Sequence, residues 1–279
     1  MQTEKVESQR AFPFLRFNQR EAKPRKRGVT EIRGPYYTPL GKRYLEDILE
    51  TMGQYIDGLK FGGGAFALLP ENILRELIDL CHAHDVYVST GGFIETVLAQ
   101  GPDAVHRYLE ECNDLGFDIV EVSSGFITVP PDDLVRLVEE VLKVGLKAKP
   151  EVGIQFGAGG ASPAAELESH RRRIVGLAIK QAQRYFDAGA HMVMIESEGI
   201  TENVRELRTD VISEIVLGLG TEKVMFEAAD PDVFSSYIKD YGPEVNLFVD
   251  HSQIVQLECL RSGVWGTNDL WGRVLTYKG

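Results

Sequence analysis

The stretch Tyr55-Ile56-Asp57-Gly58-Leu59-Lys60-Phe61-Gly62-Gly63-Gly64 reads as a short strand that carries a lysine at its end and opens into three glycines. Buried strands are short, apolar and bounded by turn residues, and residues 55–59 fit that description except at Asp57. Lys60 therefore stands where the strand stops. The glycines beyond it allow a tight turn and let backbone N–H groups approach a bound anion. Two readings stay open for this segment. It is either a phosphate or carboxylate site formed by Lys60 with the amides of Gly62, Gly63 and Gly64, or a plain strand-to-helix turn with the lysine in water.

The same alternation extends in both directions. Upstream, 28–35 reads as a first strand that carries Arg33 and is stopped by Gly34-Pro35, and Leu45, Ile48, Leu49 and Met52 fall at helical spacing over 42–52. Downstream, a helix from near Pro70 leads to a strand over 86–90, closed by Gly91-Gly92, and a helix over 102–115 leads to a strand over 117–125 that holds Glu121. Pro130 and Pro131, followed by Asp132 and Asp133, mark the start of a helix that runs to about Val144. Strands follow over 146–151, 191–196, 223–227 and 245–250, separated by helices over 165–188, 204–217 and 231–241 and closed by one over 253–260. About eight strands alternating with about eight helices predict an α/β chain folded as one (β/α)8 TIM-type barrel. A doubly wound open sheet is the alternative, and Gly34-Pro35 is not the dinucleotide fingerprint such a sheet would carry after its first strand. The expected organisation is a basic, flexible arm over 1–27, a barrel over 28–264 and an extension over 265–279.

The chain has 279 residues, of which 43% are hydrophobic and 26% charged, which suits a soluble globular protein. A formal net charge of −12 repels polyphosphate backbones, so the body of the protein is not expected to bind nucleic acid. The segment from Arg16 to Arg27 is basic in spite of this, and reads as a nuclear address, a polyanion contact or a solvated arm. Glu4, Glu7 and Glu21 argue against an organelle transit peptide. Cys81, Cys112 and Cys259 show no paired zinc spacing and leave an odd count for disulfides. No apolar run approaches the roughly 20 residues of a membrane span. These features together lead to an expected cytoplasmic protein with no membrane partner.

In a barrel of this kind the residues at the strand ends face the active site. Here they include Arg33, Lys60, Thr90, Glu121, Ser123, Glu151, Glu196, Glu227 and Asp250. Four of the strands end at or near a glutamate, and buried strands tolerate unpaired charge poorly. Crowded carboxylates raise one another's pKa unless a cation lies among them, and hard oxygen donors suit Mg²⁺. Some of these glutamates are therefore expected to hold metal or move protons. The alternative is that they pair with Lys60, Lys149, Arg33 or loop amides and only hold the rim together. Asp250-His251-Ser252 contains triad residue types, but adjacent positions do not converge as a triad, so it reads as a capped turn.

These segments resemble the phosphosulfolactate synthase family over nearly all of the chain, from about Lys23 to Gly266. The resemblance is carried by Tyr55-Ile56-Asp57 with Lys60-Phe61-Gly62-x-Gly64, by Gly91-Gly92 followed by Glu95, and by Glu151-Val152-Gly153, Phe226-Glu227-Ala228 and Val245-Asn246-Leu247. The opening at 23–35 and the last strand with Asp250-His251-Ser252-Gln253 are more similar to the plant heat-stress-associated branch than to the archaeal one. The resemblance implies a (β/α)8 barrel, probed below, and Mg²⁺-dependent addition of sulfite to phosphoenolpyruvate or a related phosphorylated carboxylate. In the implied site, Lys60, Glu121, Glu151 and Gln155 stand at catalytic positions. Arg33, Lys60, Gly62, Gly63, Gly64, Gly91 and Gly92 bind substrate, and Glu151, Glu196 and Glu227 hold the metal. It also implies a homo-oligomer. The sequence departs from the archaeal pattern in two places. Gln155 occupies the position of a lysine proposed to protonate the substrate carbon, and Glu196-Ser197-Glu198-Gly199-Ile200 lacks an arginine found there in the archaeal branch. These departures leave a second expectation, a non-catalytic protein that acts through a chaperone partner under heat stress.

Overall fold

The computed structural model describes residues 11–36, 38–154, 171–228, 230–265 and 274–277. Eight strands, β1 (Thr30–Arg33), β2 (Gly58–Phe61), β3 (Tyr87–Thr90), β4 (Ile119–Val122), β5 (Lys147–Val152), β6 (Val193–Ile195), β7 (Val224–Glu227) and β8 (Asn246–Asp250), pair in chain order. All pairs are parallel, and β1 pairs with β8 to close the barrel. The expected (β/α)8 barrel is the fold. Among the described residues no helix is long and apolar enough to cross a membrane.

The surrounding helices are α1 (Lys42–Met52), α2 (Glu71–Ala83), α3 (Ile94–Leu98), α4 (Pro102–Leu115), α5 (Pro131–Lys143), α6 (Arg171–Asp187), α7 (Thr209–Leu219), α8 (Pro231–Tyr241) and α9 (Ile254–Arg261). Their ends follow local chemistry. Helix α5 begins at Pro131 with Asp132 and Asp133 in its first turn, and buries Leu134, Leu137, Val138 and Val141 on one face. Helix α4 stops at Gly116, whose φ of 97° is left-handed. Two elements differ from expectation. Helix α7 starts at Thr209 rather than near 204, because residues 197–202 fold into a turn in which Glu198 bridges Glu202 and Asn203 takes a left-handed φ of 54°. The short α3 precedes α4, and the N-terminal part of the helix expected over 165–188 falls outside the described residues.

Because side chains alternate along a strand, the apolar residues divide into two clusters. Val193, Ile195, Phe226, Leu247 and Val249 join the large cluster under the helices, whereas Met192, Met194, Met225, Val29 and Phe248, with Tyr87 against them, form a small one inside the barrel. The barrel interior also holds charge. Lys149 is fully buried and bonds Glu31, itself fully buried, and its ammonium lies 3.8 Å from Glu121.

The part of the basic segment that carries Arg20, Lys23 and Arg25 packs against the N-terminal end of the barrel. Asp57, which breaks the apolar run before β2, is only 6% exposed and draws the segment in. Its carboxylate accepts from Arg25 at 2.9 Å and from the Thr30 amide at 2.8 Å, with Arg20 at 3.8 Å. Arg20 also bonds Glu258 of α9 and the Gly28 carbonyl, and Lys23 donates to the His84 carbonyl at 3.1 Å. At the other terminus, Asn18 donates to the Val274 carbonyl at 2.6 Å and accepts from the Thr276 amide at 3.2 Å. Removing one member of a buried charge network leaves its partners uncompensated. Asp57→Ala is therefore expected to cost about 3–5 kcal/mol in urea unfolding. Lys26→Ala, on the exposed side of the same segment, should stay within about 0.5 kcal/mol. Equal stability of the Asp57 variant and wild type would contradict this account of the segment.

Candidate active site at the barrel mouth

The C-terminal ends of the strands open into a cavity of about 590 Å³. Arg33 of β1, Lys60 of β2, Glu121 of β4, Glu151 of β5, Glu196 just beyond β6 and Glu227 of β7 all line it. The glycine turn after β2 forms one wall through Gly62, Gly63 and Gly64, and Gly92 joins it from the next strand end. Gly63 adopts a left-handed φ of 57°. Gly91 is a packing position instead. A Cβ there would stand 2.6 Å from the Phe61 carbonyl oxygen and 2.8 Å from the Gly63 nitrogen, and Gly91 is not among the lining residues. Gln155 lies outside the described residues.

The two cations in the cavity are already engaged. The Lys60 ammonium sits 2.7 Å from Glu121 and 4.0 Å from Glu151, and 4.6 Å above the centre of the Phe248 ring. Arg33 bonds Glu227 at 2.6 Å and stacks near Tyr36 and Phe248. Burial opposes the charge on Lys60, but Glu121, Glu227 and Glu151 outweigh it and hold the ammonium protonated. Glu121 is raised by burial in spite of Lys60 and Lys149 beside it.

Glu151, Glu196 and Glu227 form a second group. One carboxylate oxygen from each lies within 4.8 Å of the other two. Burial pushes Glu151 well above the ordinary carboxylate range, and Glu196 and Glu121 push it further. Burial, followed by Glu227, raises Glu196 to about 7. The Glu196 carboxylate accepts from Ser197 Oγ at 3.2 Å and the Glu198 amide at 3.1 Å, which fixes its direction. Among the described residues, seven glutamates and two basic residues line the cavity. Three convergent hard oxygens with too little positive charge near them are the donor set that suits a divalent cation with water completing its shell.

Several site residues carry no signal in the strand pattern. Glu95, in the first turn of α3, is 6% exposed and accepts from Ser123 Oγ at 2.6 Å and from the Gly125 and Phe126 amides at 2.9 and 2.7 Å. It thereby ties down the loop after β4. Glu31 and Lys149 point into the barrel from strand middles, and Glu198 and Glu202 come from an irregular turn. Thr90 Oγ1 accepts from the Glu121 amide at 3.0 Å, aligning β3 with β4. Asp250 is the expected cap, accepting from the Ser252 amide at 2.9 Å.

The family model for (2R)-phospho-3-sulfolactate synthase matches residues 18–267. The chain is 42% identical over 252 residues to Protein HEAT-STRESS-ASSOCIATED 32 of Arabidopsis thaliana, covering 87% of this chain and 88% of that protein. It is 28% identical over 273 residues to a phosphosulfolactate synthase of Methanothermobacter thermautotrophicus, covering 95% of this chain and 98% of the relative. Among solved structures, the carboxyl transferase domain of Rhizobium etli pyruvate carboxylase superposes with a TM-score of 0.58 at 13% identity. That match covers 90% of this chain but only 46% of the other, and at this identity it shows a shared barrel fold alone. The match over 18–267, the two relatives and the strand-end glutamates on a closed barrel lead to one assignment: the chain belongs to the phosphosulfolactate synthase family.

Proposed function

We propose that the mouth binds a small phosphorylated carboxylate together with Mg²⁺, and that the chain is a carbon–sulfur lyase that adds sulfite to phosphoenolpyruvate or a close analogue. The observation that carries this reading is the carboxylate group of Glu151, Glu196 and Glu227 beside the Lys60–Glu121 pair. Glu151, Glu196 and Glu227 are the residues that would hold the metal, which supplies Lewis-acid polarisation of a substrate oxygen. Lys60, Arg33 and the amides of Gly62 to Gly64 receive the anionic oxygens of the substrate. Lys60 and Arg33 must partly release Glu121 and Glu227 to do so. The attacking sulfur forms the new carbon–sulfur bond, the double-bond electrons move toward the substrate carboxylate, and a proton completes the product. In the archaeal pattern the resemblance puts a lysine in the place of Gln155 as the proposed proton donor. Glutamine at 155 cannot act as such an acid, so the proton comes from another group or from water.

A second reading is favoured by the 42% identity to a heat-stress-associated relative and by Gln155 and Glu198 in the places where the archaeal pattern has cations. In it the protein acts by association with a chaperone partner rather than by turnover.

Two outcomes test the site. A cavity lined by seven glutamates repels a substrate anion until a cation is bound. Calorimetry should therefore give heat for phosphoenolpyruvate with Mg²⁺ and little without it, and no heat under either condition at high ligand concentration would count against the reading. The second concerns the metal-free protein. Glu196 holds its proton more tightly folded, near 7, than an ordinary glutamate does unfolded, so the folded state carries the extra proton between about pH 4.5 and 7. Stability from this group is thus present at low pH and is lost as pH rises through about 7, by on the order of 2–3 kcal/mol. Glu196→Gln should raise the metal-free melting temperature at pH 8 by several degrees and abolish the further rise that Mg²⁺ gives wild type. A variant that melts lower than wild type at pH 8 without metal would refute the crowding of these carboxylates.

A further inference from the structure

A second cavity among the described residues is larger than the mouth. It lies at the opposite end of the barrel, holds about 720 Å³ and is lined jointly by the basic N-terminal segment and by the residues that start β5, β6 and β7. Lys147 opens β5, Lys223 immediately precedes β7, and His191 lies two residues before β6 between them. Backbone bonds set the three side by side: the His191 amide donates to the Ala148 carbonyl at 2.9 Å, and the Val193 amide to the Lys223 carbonyl at 2.9 Å. Lys26 and Arg27 face the same space from the N-terminal segment.

The acids around this cavity are taken. Asp57 holds Arg25, Asp118 holds His82 at 2.9 Å and the Val88 amide at 2.7 Å, Glu222 stands 3.5 Å from Arg27, and Asp85 neighbours Lys23. Among the described residues Lys26, Lys147 and Lys223 have no carboxylate partner, and Lys223 lies only over the Phe186 ring at 5.7 Å. His191 registers the surplus: burial lowers its pKa, and Lys147, Lys149 and Lys223 lower it further. The base of the cavity is apolar, formed by Val29, Val86 and Met192 with the Tyr87 ring. An arc of uncompensated cations above an apolar floor is complementary to a molecule that has an anionic group at one end and a ring or alkyl body at the other. Its concavity favours a small molecule over a polyanion strand, which needs an open basic surface.

We propose that the cavity at the N-terminal face is a second ligand site, in which Lys147, Lys223 and His191 receive the phosphate of a small organic phosphate and Val29, Val86, Met192 and Tyr87 receive its apolar body. The site is separate from the mouth and requires no metal. The test is a fluorescence titration with 1-naphthyl phosphate in the presence of a chelator, which leaves the acidic mouth repulsive to anions. Saturable one-to-one binding is expected, weakened at least about tenfold in Lys147→Ala/Lys223→Ala and unchanged in Lys60→Ala. Both lysines are exposed, so the double variant should keep the wild-type urea unfolding curve, which confirms that lost binding is not lost folding. Inorganic phosphate should compete more weakly than the naphthyl ester, because it leaves the floor uncovered. Absence of saturable binding, binding indifferent to the lysine pair, or binding lost in a Lys60→Ala protein that still unfolds cooperatively in urea would each overturn the proposal. So would tight binding of heparin with none of the naphthyl ester, which would make this face a polyanion surface instead.

Discussion

A charge inside a barrel is tolerated only with an opposite charge beside it. In this protein that constraint builds a column. Glu31 bonds Lys149, Lys149 lies 3.8 Å from Glu121, and Glu121 lies 2.7 Å from Lys60 at the mouth. Each member compensates the next, so Lys60 is fixed in place and held protonated before any ligand arrives. The column also has a cost at the mouth. Among the described residues Lys60 is committed to Glu121 and Arg33 to Glu227, which leaves Glu151 only a longer contact with Lys60, at 4.0 Å, and Glu196 no ion pair. Burial first, and then the neighbouring carboxylates, raise the pKa of both. In the proposed function, anion binding and cation binding at this mouth would be coupled, since a phosphorylated substrate would gain a favourable field only once positive charge is added among the carboxylates.

The two ends of the barrel have opposite characters, which a net charge of −12 conceals. Strand ends after β4 to β7 carry glutamates, whereas the starts of β5 and β7 carry Lys147 and Lys223. The N-terminal segment strengthens the contrast by bringing Arg25, Lys26 and Arg27 to the basic end. Asp57 anchors this segment, so one acid in an otherwise apolar run determines where much of the positive charge is displayed.

Much of this was legible in the sequence, because barrel strands and their helices have distinct periods and because functional charge concentrates at strand ends. The alternation gives the barrel, and Arg33, Lys60, Glu121, Glu151, Glu196 and Glu227 all reach one cavity. What stayed hidden depends on distances between remote segments. The anchoring of Arg20 and Arg25 depends on Asp57 and Glu258, which lie far away in the chain. Gly91 looks like Gly92 in sequence, yet its role is to admit the backbone of Phe61 and Gly63. Glu95 looks like an ordinary helical glutamate until Ser123, Gly125 and Phe126 close over it. Val204 and Leu207 continue the helical spacing of Val211 and Ile215 upstream, which moved the expected start of α7 ahead of Thr209.

The proposed role of Lys60, within a metal-dependent acidic mouth, is to receive a phosphorylated carboxylate for addition of sulfite. Phosphorus NMR of phosphoenolpyruvate with sulfite and Mg²⁺, followed in wild type, Gln155→Lys and Lys60→Ala, tests it most directly. The account predicts formation of phosphosulfolactate by wild type, a faster rate in Gln155→Lys by up to the roughly 10²–10⁴-fold that a positioned general acid contributes, and none in Lys60→Ala. Product formation that is indifferent to Lys60→Ala, or silence in all three proteins, would contradict it.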